Sequence, residues 1–331
     1  MAKEDVRTIR QSGGFEILPS TQSPGFEFGS ASPSPIRSDP RYRLGLRTLG
    51  HLERLAKARF ILAEKVPDLN PERLDQDDPD TVRSVVLSVF ASSEIEGEGI
   101  SADYLEPFVA GHTEPGEHVD AELRQRVHAH RDIKDTYFWA LNQHLKPVLT
   151  YDFLLEIHRR MFQSAKPEIA GQIKDREVRI IWHRPDSTVV EVPTVPARQA
   201  EPFLRALCER TSLLFQLAEE SADAPMLLAA AEFACDFLAI HPFSDGNGRT
   251  ARLLSTYLLE RGGYHFARIY PLDKVVLDTR TEYYEALNAS QRYWHKAEED
   301  ISPWMGYFVE AVFEQWERAF RRVRNKAART K

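Results

Sequence analysis

The stretch from Met226 to Ile240 constrains this chain most: fifteen residues, apolar but for Glu232 and Asp236. It falls short of the roughly 18 to 20 residues that a membrane crossing needs, and the two acids favour a helix packed inside a protein. Helical spacing of apolar residues recurs on both sides. It begins at Leu44, Leu46, Leu49, Leu52, Leu55, Phe60 and Leu62, and returns over 82–95, 121–142, 151–163, 199–218, 249–261, 280–291 and 301–324. The pattern predicts a mainly α-helical fold. Its one interruption is a short β-hairpin, Val178 to Trp182 and Val189 to Val192, around a turn containing Pro185, Asp186 and Ser187.

The chain's 331 residues, 42% apolar and 28% charged, leave ample length for a core and set a loose expectation of two domains. Residues 1–40 hold seven Ser, five Pro and four Gly, a composition that predicts disorder. A helical region follows over 41–120. Met1 to Arg10 carries no apolar signal core, and the two cysteines, Cys208 and Cys235, suit buried thiols in a reducing compartment. The cytoplasm is therefore the expected location, with no membrane contact. Net charge is −7, but the last fourteen residues (318–331) hold seven bases and no acid, which leaves 36 bases against 50 acids elsewhere. That acidic body disfavours nucleic acid as a partner, and the basic tail reads as a solvated helix end.

Chemistry concentrates between the apolar helix and the next one, in His241-Pro242-Phe243-Ser244-Asp245-Gly246-Asn247-Gly248-Arg249-Thr250-Ala251-Arg252. Glycines on either side of Asn247 let backbone N–H groups turn toward one point before a helix start, which makes an anion cradle. Arg249 and Arg252, three apart on that helix, add two charges with fork geometry for phosphate oxygens. Asp245 offers a hard oxygen for Mg²⁺, and His241 can accept a proton from an attacking hydroxyl. Each fragment alone is ordinary, since Gly-Asn-Gly is a common turn and a single His after an apolar helix is usually structural. The parts together describe group transfer from a nucleotide. Nine specified positions at roughly 5% each put a chance occurrence on the order of 10⁻¹² per start site.

The string resembles the hallmark of the Fic family, His-Pro-Phe-x-(Asp/Glu)-Gly-Asn-Gly-Arg-x-x-Arg, at every specified position. The resemblance implies a Fic-type helical bundle whose hairpin is a flap over the active site, and a protein adenylyltransferase that moves AMP from ATP to a Tyr, Thr or Ser hydroxyl. It implies His241 as base, Asp245 on Mg²⁺, Gly246, Asn247 and Gly248 as anion hole, and Arg249 and Arg252 on the β- and γ-phosphates. Ser92-Ser93-Glu94-Ile95-Glu96-Gly97 is similar to the family's inhibitory motif at Ser92, Glu96 and Gly97. By that likeness a helix over about 82–97 keeps Glu96 on Arg252 and the γ-phosphate away. The flap would present the target's hydroxyl and border ATP at Val178 and Arg179, although Lys174 and Glu177 stand where Arg and Gln are frequent. Tyr283 and Tyr284 suit an adenine pocket or core packing equally, with Gln291 placed at the nucleotide as well. The likeness runs from about 80 to 317, with 121–317 as the Fic domain.

Two other functions stay open. Glu96 could activate water to remove AMP from a modified protein, or the chain could be a non-enzymatic regulator that binds nucleic acid or a partner through its basic tail. The oligomeric state is left open. His128 and His130 would point from different faces of a helix, so no structural zinc is assigned.

Overall fold

The computed structural model describes residues 15–20, 41–65, 76, 78–98, 107, 109–110, 120–184, 186, 188–220, 226–294 and 299–329. Along these, the elements are β1 (Phe15–Ser20), α1 (Leu46–Lys65), α2 (Pro79–Ile95), α3 (Ala121–Leu141), α4 (Tyr151–Phe162), β2 (Glu177–His183), β3 (Val189–Val192), α5 (Ala197–Glu220), α6 (Met226–Ile240), α7 (Asn247–Arg261), a 3₁₀ turn (His265–Arg268), α8 (Leu272–Asp278), α9 (Arg280–Gln291) and α10 (Ser302–Arg329). The fold is mainly α, with a small antiparallel sheet in the order β1-β2-β3.

Several helix starts follow from their caps. Asp78 accepts from the Thr81 amide at 2.8 Å ahead of Pro79, Asp120 accepts from Leu123, and Thr150 accepts from Phe153. The apolar run is helix α6, and thirteen of its fifteen residues are buried. It packs between α5 and α7, and α10 covers it.

The two acids of α6 are neutralised where they lie. Asp236 takes both guanidinium nitrogens of Arg41, at 2.7 and 2.5 Å, a third bond from Arg210 at 2.9 Å and a fourth from the Trp294 indole. Burial pushes its pKa up, but the two arginines and the bonds they make win and hold it well below the usual carboxylate range. Arg41 also accepts the Ile301 amide at its carbonyl, so the start of the helical region is tied to the core. Removing one member of such a set strands buried charge. Asp236→Ala should therefore lower the unfolding free energy by about 3–5 kcal/mol, read from urea midpoints.

The structure departs from the sequence reading most plainly near the N-terminus. Residues 15–20 lie in the segment expected to be disordered, yet they form β1, paired with β2 from Phe15↔Trp182 to Ser20↔Glu177. An adjacent strand supplies the backbone partners that the segment's own composition cannot. The other residues of 1–40 lie outside the described ones, as do Pro185 and Ser187 of the hairpin turn. The basic tail continues α10 as far as Arg329. Among the described residues, no helix is long and apolar enough to cross a membrane.

Candidate active site

The loop from α6 to α7 is held in an unusual backbone shape. His241 has a φ of +50°, a left-handed value uncommon outside glycine, and its amide donates to the Phe237 carbonyl at 2.9 Å. Asn247 staples the turn, accepting from the Phe243 amide at 3.0 Å and donating to its carbonyl at 2.9 Å. Its side chain is thus engaged in structure, and what it can offer an anion is backbone N–H. Gly246 has a φ of +76°, and a Cβ there would overlap the Phe162 ring, so glycine is required twice over. The first amides of α7 then have no carbonyl within the helix to bond, the arrangement that attracts anions.

His158 fixes this loop from α4. The Gly171 amide donates to its Nδ1 at 2.9 Å, so Nε2 carries the proton and donates to the Asp245 carbonyl at 3.0 Å. Its ring stacks on Phe243, and burial draws its pKa down to about 4.

Three charged side chains line the α7 end, and each has an internal counter-ion. Arg252 donates from Nε to the Ser92 hydroxyl at 2.8 Å and from Nη2 to Glu96 at 2.7 Å, with the buried Asp273 carboxylate 3.4 Å behind it. Gly97, at φ +76°, ends α2 so that Glu96 caps it and turns to Arg252. Arg249 donates to Glu98 at 2.7 Å and lies over the Phe162 ring, while its buried Nε has no partner. Asp245 accepts the Gly246 amide and pairs with Lys166, whose ammonium also sits 3.9 Å from Glu98. Burial raises the Asp245 pKa, but Arg249 and Lys166 lower it further, so the carboxylate stays ionised at neutral pH.

His241 itself is buried, and neither ring nitrogen has a hydrogen-bond partner of good geometry. Burial, then the charge of Lys174, pulls its pKa down to about 3, so the ring is neutral at pH 7. Lys174 brackets this residue, because its amide donates to the Pro242 carbonyl at 2.9 Å and its buried ammonium reaches the Ile240 carbonyl at 3.4 Å. Burial lowers the Lys174 pKa to about 7.

His130, His158 and His241 are all held neutral by burial, which gives stability a pH dependence. Unfolding returns each to an ordinary pKa near 6.5. Below that, the unfolded chain binds protons that the folded one refuses, so stability is complete above about pH 6.5 and is lost on acidification. The expected loss approaches about 1.4 kcal/mol per pH unit for each of His158 and His241. Urea unfolding between pH 7 and 5 checks this, and a flat profile would count against the buried neutral rings.

The structure brings His241, Asp245, Gly246, Asn247, Gly248, Arg249 and Arg252 together with Ser92, Glu96 and Gly97 of α2. Tyr283 and Tyr284 are buried, the first packed on Trp304 and Tyr307 with Arg252 nearby, the second donating to the Ile95 carbonyl. Gln291 is turned to α6, where it donates to the Cys235 carbonyl. Arg179 lies exposed on the hairpin, paired with Glu191, and the Val178 carbonyl accepts from Thr194. Sequence reasoning missed Glu98, His158, Lys166 and Asp273. Only Glu98 carried a local signal, as the second acid of Glu96-Gly97-Glu98. The metal expectation rests on Asp245 alone, since the described residues contain no group of three or more His, Cys, Asp or Glu fit to hold an ion. An ionised carboxylate beside a phosphate cradle suits Mg²⁺ held mainly by phosphate oxygens.

Residues 148–259 match the model of the Fic/DOC family. Protein adenylyltransferase fic-1 of Caenorhabditis elegans is 31% identical over 142 residues, which is 43% of this chain and 24% of that protein. Protein adenylyltransferase Fic of Nematostella vectensis is 33% identical over 144 residues, 42% of this chain and 28% of that protein. The chain therefore spans about a quarter of the length of these relatives. In shape it is similar to a Fic family protein from Desulfovibrio desulfuricans, with a TM-score of 0.61 at 19% identity over 85% of this chain and 76% of the other. It is also similar to Fic-1 of C. elegans, with 0.58 at 21% identity over 85% and 74%. Loop, helices and matched segment coincide, and the chain carries a Fic/DOC domain.

Proposed function

We propose that this chain is a protein adenylyltransferase held silent by its own helix α2. The observation that carries the reading is a buried, neutral imidazole with no hydrogen bond of good geometry, set in the loop of a glycine-bearing phosphate cradle whose two arginines are occupied by Glu96 and Glu98. In the reaction, the hydroxyl oxygen of a target Tyr, Thr or Ser attacks the α-phosphorus of ATP while a His241 ring nitrogen takes its proton. The bond from the α-phosphorus to the bridging oxygen breaks, and pyrophosphate leaves. Arg249 and Arg252 hold the β- and γ-phosphates, and the amides at the start of α7 receive the charge. Asp245 would hold Mg²⁺, which would supply charge neutralisation at the phosphates. The catalysis asked of the protein is positioning and electrostatic stabilisation. The hairpin β2–β3 is the flap on which a target protein docks.

Labelled ATP tests the reading. Label at the α-phosphate should pass to protein and label at the γ-phosphate should not, and the reverse pattern would make the enzyme a kinase. Glu98 enters the same account, because ATP must displace it from Arg249. Glu98→Ala should tighten ATP binding a few-fold, on the order of the 0.5–1.5 kcal/mol of a half-exposed charged hydrogen bond, read by calorimetry.

A second reading has one observation in its favour. The Glu96 carboxylate lies so close to Gly248 that a Cβ there would overlap it, so the acid stands at the anion cradle and could activate water to remove AMP from a modified protein. AMP release from such a protein without ATP would support it.

A further inference from the structure

Parity along β2 shows which edge of the flap is in use. The Val178 carbonyl accepts from Thr194, just beyond β3, and Ile180 pairs with Val192 of β3. N–H and C=O of alternate residues point to opposite sides of a strand, so Val178, Ile180 and Trp182 face β3, and Glu177, Arg179 and Ile181 face the other way. On that other side lies β1, with Ser20 opposite Glu177, Leu18 opposite Arg179 and Glu16 opposite Ile181. Pro19 falls opposite Val178, where no ladder N–H is needed, which is the position an edge strand tolerates for proline. The hairpin edge beyond β2 is therefore covered by a strand of the same chain.

Direction matters as much as coverage. β1 runs antiparallel to β2, so its C-terminal residue Ser20 lies at the end nearest the loop. Glu177 is three residues past Lys174, whose amide bonds Pro242 next to His241. At no more than about 3.3 Å per residue, Glu177, the partner of Ser20, lies within roughly 10 Å of Lys174. An extended segment on this edge therefore has its C-terminal end at the side of the hairpin that leads to the Lys174–Pro242 contact.

We propose that β1 is a displaceable occupant of the target's docking edge: the chain's own N-terminal strand holds the place that an extended segment of a target protein takes by adding to β2. This inference rests on the adenylyl-transfer reading for its consequence, and on strand pairing for its geometry. Among the described residues β1 has β2 as its one strand neighbour, so the pairing with β2 is what can be exchanged. Recognition by strand addition draws its affinity from the same main-chain hydrogen bonds, so occupant and target compete for one ladder.

Two substitutions in the full chain separate this from general disruption. Leu18→Pro removes a ladder N–H, whereas Ile17→Pro removes one that faces away from β2. Amide exchange at Arg179 and Ile181 should quicken at least tenfold in Leu18→Pro and stay within a few-fold of the parent in Ile17→Pro. A capped peptide of the sequence Phe-Glu-Ile-Leu-Pro-Ser should bind Leu18→Pro at least tenfold more tightly than the parent and restore the slow exchange. Equal exchange in all three proteins, or equal peptide binding, overturns the occupancy. In the Glu96→Gly background, Leu18→Pro should raise target labelling several-fold with the KM for ATP unchanged. Labelling that stays level or falls while the edge is open overturns the competition. If Glu96→Gly alone labels nothing, the transfer reading fails, and the exchange and peptide results still decide whether β1 is displaceable.

Discussion

Replacing Glu96 by Gly is expected to raise transfer of label from α-labelled ATP onto protein by roughly 10- to 100-fold. The size follows from one contact. The Glu96 side chain accepts a charge-assisted hydrogen bond of 2.7 Å from the nearly buried Arg252 guanidinium. Such bonds are worth about 1.5–3 kcal/mol, and each 1.4 kcal/mol is a factor of ten in the population free to bind the γ-phosphate. Arg252 is not left loose by the change, because Ser92 and Asp273 still hold its Nε side. A lysate incubated with the variant and the parent, followed by mass spectrometry of the labelled bands, makes the comparison. A variant that binds ATP as the account requires but labels nothing, with His241 intact, would sink the transferase reading.

His241→Ala in that released background should then remove labelling by about 10²- to 10⁴-fold while ATP binding changes little. The ring makes no hydrogen bond of good geometry to the protein, so its loss breaks no network, and a folding defect is not the expected cause of silence. Calorimetric titration with ATP separates the two quantities. A large loss of affinity alongside the rate would instead mark His241 as part of the nucleotide cradle.

The segment from Met226 to Arg252 was legible because its information is local. An apolar run fixes α6, glycines and Asn247 fix the turn, and a three-residue spacing puts both arginines on α7. The neighbours that complete the site were not legible for the opposite reason. Lys166 meets Asp245 across 79 positions, Glu98 meets Arg249 across 151, and Ser88 meets Asp273 across 185, and no window along the chain registers such pairs. Helix α8 is only seven residues, too short for periodicity to show. β1 hides inside a Ser, Pro and Gly background whose average composition says disorder, although six consecutive residues suffice for a strand once β2 offers a partner. Tyr283 and Tyr284 could not be assigned from a helix face alone, since packing and ligand contact place the same demands on it.

On the proposed reading, in which Glu96 is a brake, the grip of α2 determines how it is released. Ten of its residues are buried, Val85, Val86, Val89, Phe90 and Ile95 among them, and Ser88 reaches the buried Asp273 carboxylate at 2.7 Å. At about 1.5–3 kcal/mol for each large apolar side chain, lifting the whole helix would cost on the order of 10 kcal/mol, comparable to the stability of a domain. Glu96 and Glu98 instead lie just past its last turn, one on each side of left-handed Gly97, where the Gly97 amide donates to the Glu94 carbonyl and the Glu98 amide to the Ser93 carbonyl. On that reading, release of Glu96 and Glu98 needs only the turn leading into Gly97 to open, and the rest of the rod can remain docked.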